Sequence, residues 1–415
     1  MTGKRLLILG GNRYNVASIR AAREAGFHAI VADRNPNAAG FAVADQAWPI
    51  DLVDVDGLQR AIADAGGIDG VVSMAEVGVK PAAELSARLG LRSITCQAAA
   101  NATSKAAMRH GWASLGPFST DFRVVRSEPQ AREAIAQLGF PLVFKPDQSF
   151  GGSRGVSIVE HENESADAFA FAHAGGLKGS AVVIERRLFG SEHSSEVLIW
   201  EGRASLLCTS RKVKSPAPYR VDLSVQYPAP FTPEQQQQVE TMCDRAVAAL
   251  GLTTGVAHIE FCLTKDGPVL MELGARCGGG HTPQIAHHVS GVNEFVEYCR
   301  MACNLAPEIF RPVAARGADY RFIILPPGIL ESVEIPADLH AASNLIDVDV
   351  TFQTGDEIHP LRTTADRAGF IVSIGNDLAD AARIADQAAT RLRAHYVDGR
   401  ARPPYTLAEL AQAEN

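Results

Sequence analysis

The first hundred residues alternate between short apolar runs and amphipathic segments, and this alternation constrains the fold more strongly than any other feature of the sequence. Strand-like runs occupy Arg5–Leu9, His28–Ala32 and residues 68–73. Helix-like segments occupy residues 15–25 and 81–89. Strands that are joined by helices pair in parallel, because the helix carries the chain back to the same end of the sheet. We therefore predict that this region is an α/β domain with a doubly wound parallel sheet.

The sequence GGNRYN follows the first strand and admits two interpretations. Its backbone could cradle a phosphate at a helix N-terminus, with Asp33 at the end of the second strand binding a ribose. However, the spacing is not GxGxxG, and any tight turn from strand to helix favours glycine. We therefore expect a structural or substrate-contacting turn in preference to a nucleotide site.

Beyond the first domain, the strands alternate apolar and polar residues and are rich in β-branched side chains, as in antiparallel sheets. Residues 213–230 are rich in proline and polar residues, and we predict a surface excursion there. The predicted domains are an N-terminal domain at 1–100, a central α+β domain at 101–310 with subdomains 101–180 and 181–310, and a C-terminal α+β domain at 311–415.

The composition narrows the classes of partner. Hydrophobic residues make up 46% of the chain and charged residues 21%, as in globular proteins. The net charge of −8 disfavours nucleic acid and anionic membranes, because both select clustered lysine and arginine. The seven cysteines include no CxxC motif, so free thiols in a reducing compartment are expected. No signal-like segment or membrane-length apolar run is present, and we predict a cytoplasmic protein.

Two lysines and a glycine-rich loop have the properties of a triphosphate site. Lys105 lies in SKAAMR, and Lys145 follows the apolar run of FPLVFKP. The loop after Lys145 has glycines that let the backbone fold over phosphates, and serine hydroxyls that add donors. Each lysine alone suits a solvated surface and the loop alone suits a hairpin turn, but their combination favours phosphate binding. The predicted contacts in the loop are Ser149, Gly151, Gly152, Ser153 and Gly155.

The segment IERRLFGSEHSSEVL is a candidate for binding a nucleoside. An apolar strand leads to Glu185, and Glu192 follows across a turn. Backbone groups from Arg186 to Leu188 could pair with an adenine edge, and either carboxylate could accept a hydrogen bond from a ribose. The alternative is an exposed turn with two solvated acids.

Two carboxylates are predicted to face each other across a hairpin. Glu260 and Glu272 lie on strands that are joined by the turn KDG, and apolar neighbours flank each acid. Alternation then places both acids on the opposite face, where cross-strand partners lie within about 5 Å. Two carboxylates this close repel each other unless a cation such as Mg²⁺ lies between them. A salt bridge to Lys105 or Arg276 is the alternative.

Together and in this order, SKAAMR, FPLVFKP, SFGGSRGV, IERRLFGSEHSSEVL and HIEF…LMELGARCGG resemble the ATP-grasp superfamily. The resemblance implies a pre-ATP-grasp domain, then an ATP-grasp domain, then a closing domain like that of carboxylate–amine ligases. It also implies ATP and Mg²⁺ as cofactors, with Mn²⁺ as an alternative metal.

The resemblance further implies a role for individual residues. Lys105 and Lys145 would contact the ATP phosphates, and Glu260 and Glu272 would hold the metal ion. Arg276 matches the arginine that holds the substrate carboxylate and the developing acyl-phosphate, a bidentate task that suits guanidinium. The resemblance thus assigns catalytic roles to Arg276 and Lys145. The implied nucleoside contacts are Glu185, Arg186 and Leu188 for adenine and Glu192 for ribose.

Two positions depart from the family pattern. Gly274 stands where many relatives have asparagine, so a second Mg²⁺ would be held by water and ATP or bound weakly. Ser104 stands before the first lysine, where aspartate is frequent.

The function that we predict is ATP-dependent ligation of a small carboxylate, an amino acid above all, to an amine through an acyl-phosphate. The alternatives are a purine-type or biotin-type carboxylase that uses bicarbonate, and an ATP-binding protein without catalysis. The partners would be small molecules, and a homodimer is left open. The candidate substrate contacts are Lys212, Tyr219 and His281.

Overall fold

The computed structural model describes residues 3–149, 154–216, 219–309 and 316–412. Its first domain is a four-stranded parallel sheet in the order β3-β2-β1-β4. Its strands are β1 (Arg5–Leu9), β2 (His28–Ala32), β3 (Gln46–Trp48) and β4 (Gly70–Ser73). Its helices are α1 (Val16–Glu24), α2 (Val55–Asp64), α3 (Val79–Leu89) and α4 (Cys96–Asn101).

Successive residues of β1 pack on opposite faces of this sheet. Leu6 and Ile8 pack in a core with α1, whereas Leu7 and Leu9 pack in a core with α2 and α3. Because helices cover both faces, the strands are apolar along their whole length. The predicted doubly wound parallel sheet is confirmed.

The central region opens with a small subdomain that is built on a four-stranded antiparallel sheet in the order β5-β8-β6-β7. The strands are β5 (Phe122–Val125), β6 (Leu142–Pro146), β7 (Ser157–Val159) and β8 (Val182–Arg186). The helices are α5 (Lys105–Trp112), α6 (Glu128–Leu138) and α7 (Ser165–Gly175), of which α6 and α7 pack on one face of the sheet.

A large antiparallel sheet follows, with eight strands in the order β13-β12-β9-β10-β11-β14-β18-β16. Its first strands are β9 (Ser191–Trp200), β10 (Arg203–Lys214), β11 (Asp222–Tyr227), β12 (Thr254–Thr264) and β13 (Gly267–Gly274). The helices of this part are α8 (Pro233–Ala249), α9 (Thr282–Ser290) and α10 (Glu294–Ala302). Residues such as Val197, Ile259 and Phe261 pack beneath α8, so the alternate residues of β9 and β12 face the other way.

The C-terminal region continues this sheet. The strands are β14 (Gly317–Ile323), β15 (Gly328–Glu334), β16 (Leu345–Val350), β17 (Glu357–Ile358), β18 (Gly369–Gly375), β19 (Arg393–Tyr396) and β20 (Ala401–Arg402). The helices are α11 (Ala337–His340), α12 (Leu378–Arg391) and α13 (Leu407–Gln412). Because β14 pairs with β11, the sheet runs across the domain boundary that we predicted at 310. The α+β class predicted for this region is confirmed.

The prediction of a surface excursion at residues 213–230 is wrong for its second half. Residues 222–227 form β11, an inner strand of the large sheet, and Leu223 and Tyr227 are buried. The polar side chains of this strand find partners in neighbouring strands: Ser224 is fully buried, and Asp222 and Gln226 are partly buried. Ser224 donates a hydrogen bond of 2.6 Å to Asp319.

In the described part of the chain, no helix is long and apolar enough to cross a membrane.

Candidate active site

The hairpin of β12 and β13 places Glu260 directly opposite Glu272 in the register of the sheet. Both carboxylates lie on the face that points away from α8, as the alternation of apolar neighbours predicts. Each carboxylate pairs with a lysine from another element. Nζ of Lys212 lies 2.9 Å from Glu260, and Nζ of Lys105 lies 2.8 Å from Glu272. The two acids and two lysines form a compact charge cluster.

Both acids of the cluster suit a hard divalent cation. Although burial raises the pKa of Glu260, Lys212 and His258 outweigh it and hold that pKa well below its usual range. Burial lowers the pKa of Lys105, but the ion pair with Glu272 outweighs burial, so the pKa is raised above its usual value. Among the described residues, no group of three or more acids, histidines or cysteines could hold a metal ion alone. A cation held by Glu260 and Glu272 would therefore complete its shell with water and phosphate oxygens, as Mg²⁺ usually does.

The N-terminus of α5 fixes the position of Lys105. The Ser104 hydroxyl caps the helix by accepting a hydrogen bond of 3.1 Å from the backbone N–H of Ala107. The same hydroxyl donates to Asp147, which follows β6, over 2.7 Å. Serine thus performs the capping that the more frequent aspartate would perform, and it also ties α5 to the small subdomain.

Lys145 is held by a buried ion-pair network. Its ammonium group pairs with Glu185 on the neighbouring strand β8, and Arg109 Nε lies 2.6 Å from the same carboxylate. Glu185 is only 3% exposed. Burial raises the pKa of Glu185, but Arg109 and Lys145 lower it to about 2. Arg109 also donates to the carbonyls of Leu270 and Met271, so it joins the small subdomain to the hairpin of β12 and β13.

Each oxygen of the Glu185 carboxylate thus already pairs with one cation of the protein. The nucleoside contact that the sequence predicts for Glu185 stays a prediction. The Arg186 side chain turns outward to Asp121 at 3.3 Å, and the Arg186 backbone N–H donates to the Asp121 carbonyl over 3.1 Å. The adenine contacts of Arg186 and Leu188 stay predictions. The sequence analysis missed Arg109, although its signal was present. Arg109 follows Lys105 by one helical turn within SKAAMR, so both project from the same face of α5.

Glu192 lies at the start of β9 and faces the connection between β10 and β11. Its carboxylate lies 2.7 Å from Nζ of Lys214 and 3.8 Å from Arg220. Lys214 also pairs with Asp222, over 3.0 Å. The Glu192 side chain remains partly exposed, so its ribose role stays a prediction.

The loop predicted to cover the phosphates is described only at its ends. Gly151, Gly152 and Ser153 lie outside the described residues. Gly155 has φ +71°, and a Cβ atom there would lie 3.2 Å from Cα of Gly175 in α7. Glycine is therefore needed at this position for backbone conformation and close packing. The phosphate contacts of Ser149 and of this loop stay predictions.

Arg276 follows β13 and contacts the first domain. Its Nε donates a hydrogen bond of 2.9 Å to Glu76, which lies in the short 3-10 turn after β4. Its Nη1 donates to the Cys277 carbonyl over 2.9 Å. Burial, reinforced by Glu272 and opposed by Arg276, raises the pKa of Glu76. The sequence analysis missed Glu76, although it follows a parallel strand at the carboxyl end, where ligand sites occur in such sheets.

Gly274 makes room for this contact. A Cβ atom at position 274 would lie 3.2 Å from Oε2 of Glu76 and 3.4 Å from Cζ of Arg276. An asparagine would therefore crowd the hydrogen bond between Glu76 and Arg276. The departure from the family pattern thus coincides with a close approach of Glu76 and Arg276.

A second layer of buried acids lies behind the charge cluster. His258 Nδ1 lies 2.6 Å from Glu196 and its Nε2 lies 3.4 Å from Glu260. Burial lowers the pKa of His258, but Glu196 and Glu260 raise it to about 9. Glu196 also accepts from the backbone N–H of Gly278 over 3.1 Å, so it links β12 to the turn after Arg276.

The candidate substrate contacts have different surroundings. Lys212 belongs to the charge cluster, and Tyr219 is 50% exposed. The buried His281 directly precedes α9, and its Nε2 lies 3.1 Å from Asp347. The His281 ring makes edge-on contacts with Tyr14 and Tyr320, at centroid distances of 6.0 and 5.9 Å. His281 therefore lies where all three predicted domains meet.

Comparison with known families supports the domain types. The model of the ATP-grasp N-terminal domain matches residues 19–92, and that of the ATP-grasp domain matches residues 138–284. The model described as L-amino acid ligase C-terminal domain 2 matches residues 321–397.

Individual relatives agree with these matches. An uncharacterized protein of Sinorhizobium fredii, y4rH, is 25% identical over 93% of this chain and 81% of its own length. The formate-dependent phosphoribosylglycinamide formyltransferase of Burkholderia thailandensis is 33% identical, but over 44% of this chain and 45% of its own length. The chain thus spans less than half of that enzyme.

A solved structure shares the fold over nearly the whole chain. The L-amino acid ligase from Bacillus licheniformis superposes with a TM-score of 0.79 at 21% identity, over 95% of this chain and 99% of that one. The family models thus show that the chain contains an ATP-grasp domain, with an ATP-grasp N-terminal domain before it and a domain of the L-amino acid ligase C-terminal type after it, and the solved structure shows that the overall fold is shared.

Proposed function

We propose that this protein is an ATP-dependent ligase that joins the carboxylate of an amino acid or similar small acid to an amine, with release of ADP and phosphate. The observation that carries the proposal is the opposition of two carboxylates, Glu260 and Glu272, beside lysines and one arginine. The match of the third domain to L-amino acid ligases favours an amino acid as the acid.

Each residue of the cluster has a part in binding the nucleotide. Glu260 and Glu272 would hold Mg²⁺, or Mn²⁺ in its place, and the bound ion would neutralise phosphate charge. Lys105 and Lys145 would face the phosphates, since Lys105 belongs to the cluster and Lys145 is fixed by Glu185, which Arg109 links to the same hairpin. Glu185 and Arg109 act by positioning Lys145.

Arg276 would hold the acid substrate. Its Nε and Nη1 are occupied by Glu76 and Cys277, while Nη2 has no partner in the described part of the chain. A substrate carboxylate can therefore bind at the free edge or displace Glu76 and take the guanidinium bidentately. A carboxylate oxygen would then attack the γ-phosphorus of ATP, breaking the bond to ADP. The amine would attack the acyl carbon, phosphate would leave, and the amine would lose a proton.

The test is a screen of paired amino acids and small carboxylates for ADP release, with the product mass measured. We expect ADP release that needs both an acid and an amine, and a product whose mass is their sum less water. With ¹⁸O in the substrate carboxylate, one label should appear in the released phosphate. ADP release that depends on bicarbonate, with no label transfer from any organic acid, would instead show a carboxylase. No nucleotide turnover with any pair would contradict ligase function.

A further inference from the structure

Arg367 is a half-buried arginine whose guanidinium lacks an acidic partner. It lies just before β18, and its Cζ stacks 3.8 Å from the ring centroid of Phe322. Nε donates to the carbonyl of Thr364 over 3.2 Å. Among the described residues, no carboxylate lies within ion-pair distance of it, so its two terminal nitrogens are free to bind.

Other arginines of the interior differ in this respect. Arg109 pairs with Glu185 at 2.6 Å, and Arg321 pairs with Asp319 at 2.6 Å. Burial lowers the pKa of Arg367, while the nearby Asp222, Tyr320 and Tyr14 oppose that shift. Guanidinium nevertheless stays charged at any physiological pH. Its partial desolvation is therefore a cost without the compensation of an ion pair, which a bound anion would supply.

Arg367 is connected to the reaction centre through aromatic contacts. Phe322, on which Arg367 stacks, lies 5.0 Å from Tyr320 between ring centroids, and the rings of Tyr320 and Tyr14 both contact His281. A Cβ atom at Gly280 would lie 2.5 Å from the Tyr320 hydroxyl, and Gly280 is in the turn that follows Arg276. Tyr14, Tyr320 and Phe322 thus form an aromatic layer whose contacts lead from the turn after Arg276 to Arg367.

We propose that Arg367 binds an anionic group on the amine substrate and so determines which amines are accepted. The inference rests on the ligase function proposed above. Arg276 beside Glu76 serves the reacting carboxylate, so a second guanidinium across the aromatic layer serves a second anion. That anion is the carboxylate of an amino acid or the phosphate of a phosphorylated amine, and both form paired hydrogen bonds with guanidinium.

The experiment compares the wild-type protein with R367M and R367K. R402M is the matched control, because Arg402 is exposed on β20 of the same domain. Glycine and glycinamide differ by the carboxylate charge, and O-phosphoethanolamine and ethanolamine differ by the phosphate. KM and kcat for each amine are measured with the acid that the ADP-release screen identifies. The shift of the unfolding midpoint by glycine and by O-phosphoethanolamine is measured in parallel and needs no turnover.

In R367M we expect KM for the anionic amine to rise about tenfold or more, as loss of a charge-assisted pair requires. KM for its neutral counterpart, KM for the acid and kcat should stay near the wild-type values, R367K should be intermediate, and R402M unchanged. If R367M loses affinity for glycine, the bound anion is a carboxylate; if it loses affinity for O-phosphoethanolamine, the bound anion is a phosphate. The midpoint shift by that amine should likewise shrink in R367M.

Three results would overturn the inference. Equal losses for neutral and anionic amines would show a structural role, and a raised KM for the acid alone would place the acid here. The third result is that D222N alone raises KM as R367M does, and that the double variant raises it no further. Arg367 would then act by pairing with Asp222 during turnover and not by binding the amine. If no acid and amine release ADP, the function fails, yet the midpoint shifts still decide whether Arg367 binds the anion.

Discussion

The carboxylate of Glu76 in the first domain accepts a hydrogen bond of 2.9 Å from Nε of Arg276 in the second. This contact ties the turn after β4 to the end of the hairpin of β12 and β13. The Glu76 carboxylate also lies near Glu272 and Lys105. A substrate carboxylate that binds Arg276 must therefore be accommodated next to an acid of the protein. We expect the amino group of an amino-acid substrate to be drawn to Glu76.

Replacing Glu272 by glutamine should abolish turnover and leave the fold intact, because the change removes charge without volume. The cation would lose one of two carboxylate ligands, and Lys105 would lose its partner at 2.8 Å. ADP release should be measured across a range of Mg²⁺ concentrations, with E240Q on the exposed face of α8 as control. A near-native rate at millimolar Mg²⁺ would refute the metal assignment.

Arg276→Lys should bind ATP nearly normally and lose most ligation. Lysine keeps the charge but not the planar fork, and loss of a bidentate pair in a desolvated site costs on the order of 3 kcal/mol, or more than a hundredfold. Nucleotide binding and ADP release are to be measured separately. If ATP affinity fell in parallel with ligation, Arg276 would serve the nucleotide and not the acid.

Gly274→Asn tests whether the glycine is needed for the contact between Glu76 and Arg276. Asparagine should lower kcat/KM for the acid, because its side chain would enter the space 3.2 Å from Glu76 and 3.4 Å from Arg276. Gly274→Ala, with only a methyl group, should lose less. Improved affinity for Mg²⁺ with unchanged kcat/KM in the asparagine variant would show that the position is free to act as a ligand.

Glu185→Gln should destabilise the small subdomain, because Arg109 and Lys145 would be left buried without their counter-charge. Breaking a buried ion pair by removing one partner typically costs about 3–5 kcal/mol. Chemical unfolding gives the free energy, and E192Q, at a partly exposed pair, should lose less than about 1 kcal/mol. Equal losses in the two variants would contradict the special place of the Arg109–Glu185–Lys145 network.

Glu294 predicts a pH-dependent stability. It is 0% exposed, neither of its carboxyl oxygens has a hydrogen-bond partner among the described residues, and burial with the charge of Glu196 raises its pKa well above the usual range. The folded protein thus keeps a proton that the unfolded chain releases above its ordinary pKa of about 4.3. The stability that the protonated Glu294 contributes is present at low pH and is lost as pH rises.

Glutamine at position 294 cannot titrate, so E294Q does not lose this stability as pH rises. The free energy of unfolding of E294Q minus that of the wild type should therefore increase as pH rises from 5.5 to 8. The slope should reach at most about 1.4 kcal/mol per pH unit. The groups that face Glu294 are Glu196, His258, Cys277 and Arg276, and all stay unaltered in the variant. A constant difference across this range would mean that Glu294 is charged in the folded state.

Local periodicity was enough to predict the central hairpin. The alternation around Glu260 and Glu272 has only one outcome if the apolar neighbours are buried, and the register of β12 and β13 agrees. Contacts between distant segments could not be predicted in the same way. Glu76 and Arg276 are 200 positions apart, and nothing local to either residue specifies the other.

Strand β11 shows a second limit. The proline-flanked, polar segment that contains it resembles a loop, because Asp222, Ser224 and Gln226 would be exposed in most strands. Ser224 is buried nonetheless, because Asp319, in a strand almost a hundred positions later, accepts its hydrogen bond, and Gln226 donates to the same carboxylate. The polar residues of an inner strand could be recognised only once that neighbour was known.

The large sheet has one further consequence. Four residues of β11 pair with β14, so a ladder of main-chain hydrogen bonds joins the third domain to the second. Exchanging the third domain with that of a relative would require the incoming strand to match this ladder residue by residue. The protein cannot acquire a new specificity by simple recombination at that border. Variation in this lineage is therefore expected to accumulate as point substitutions on the loops around His281 and Arg367.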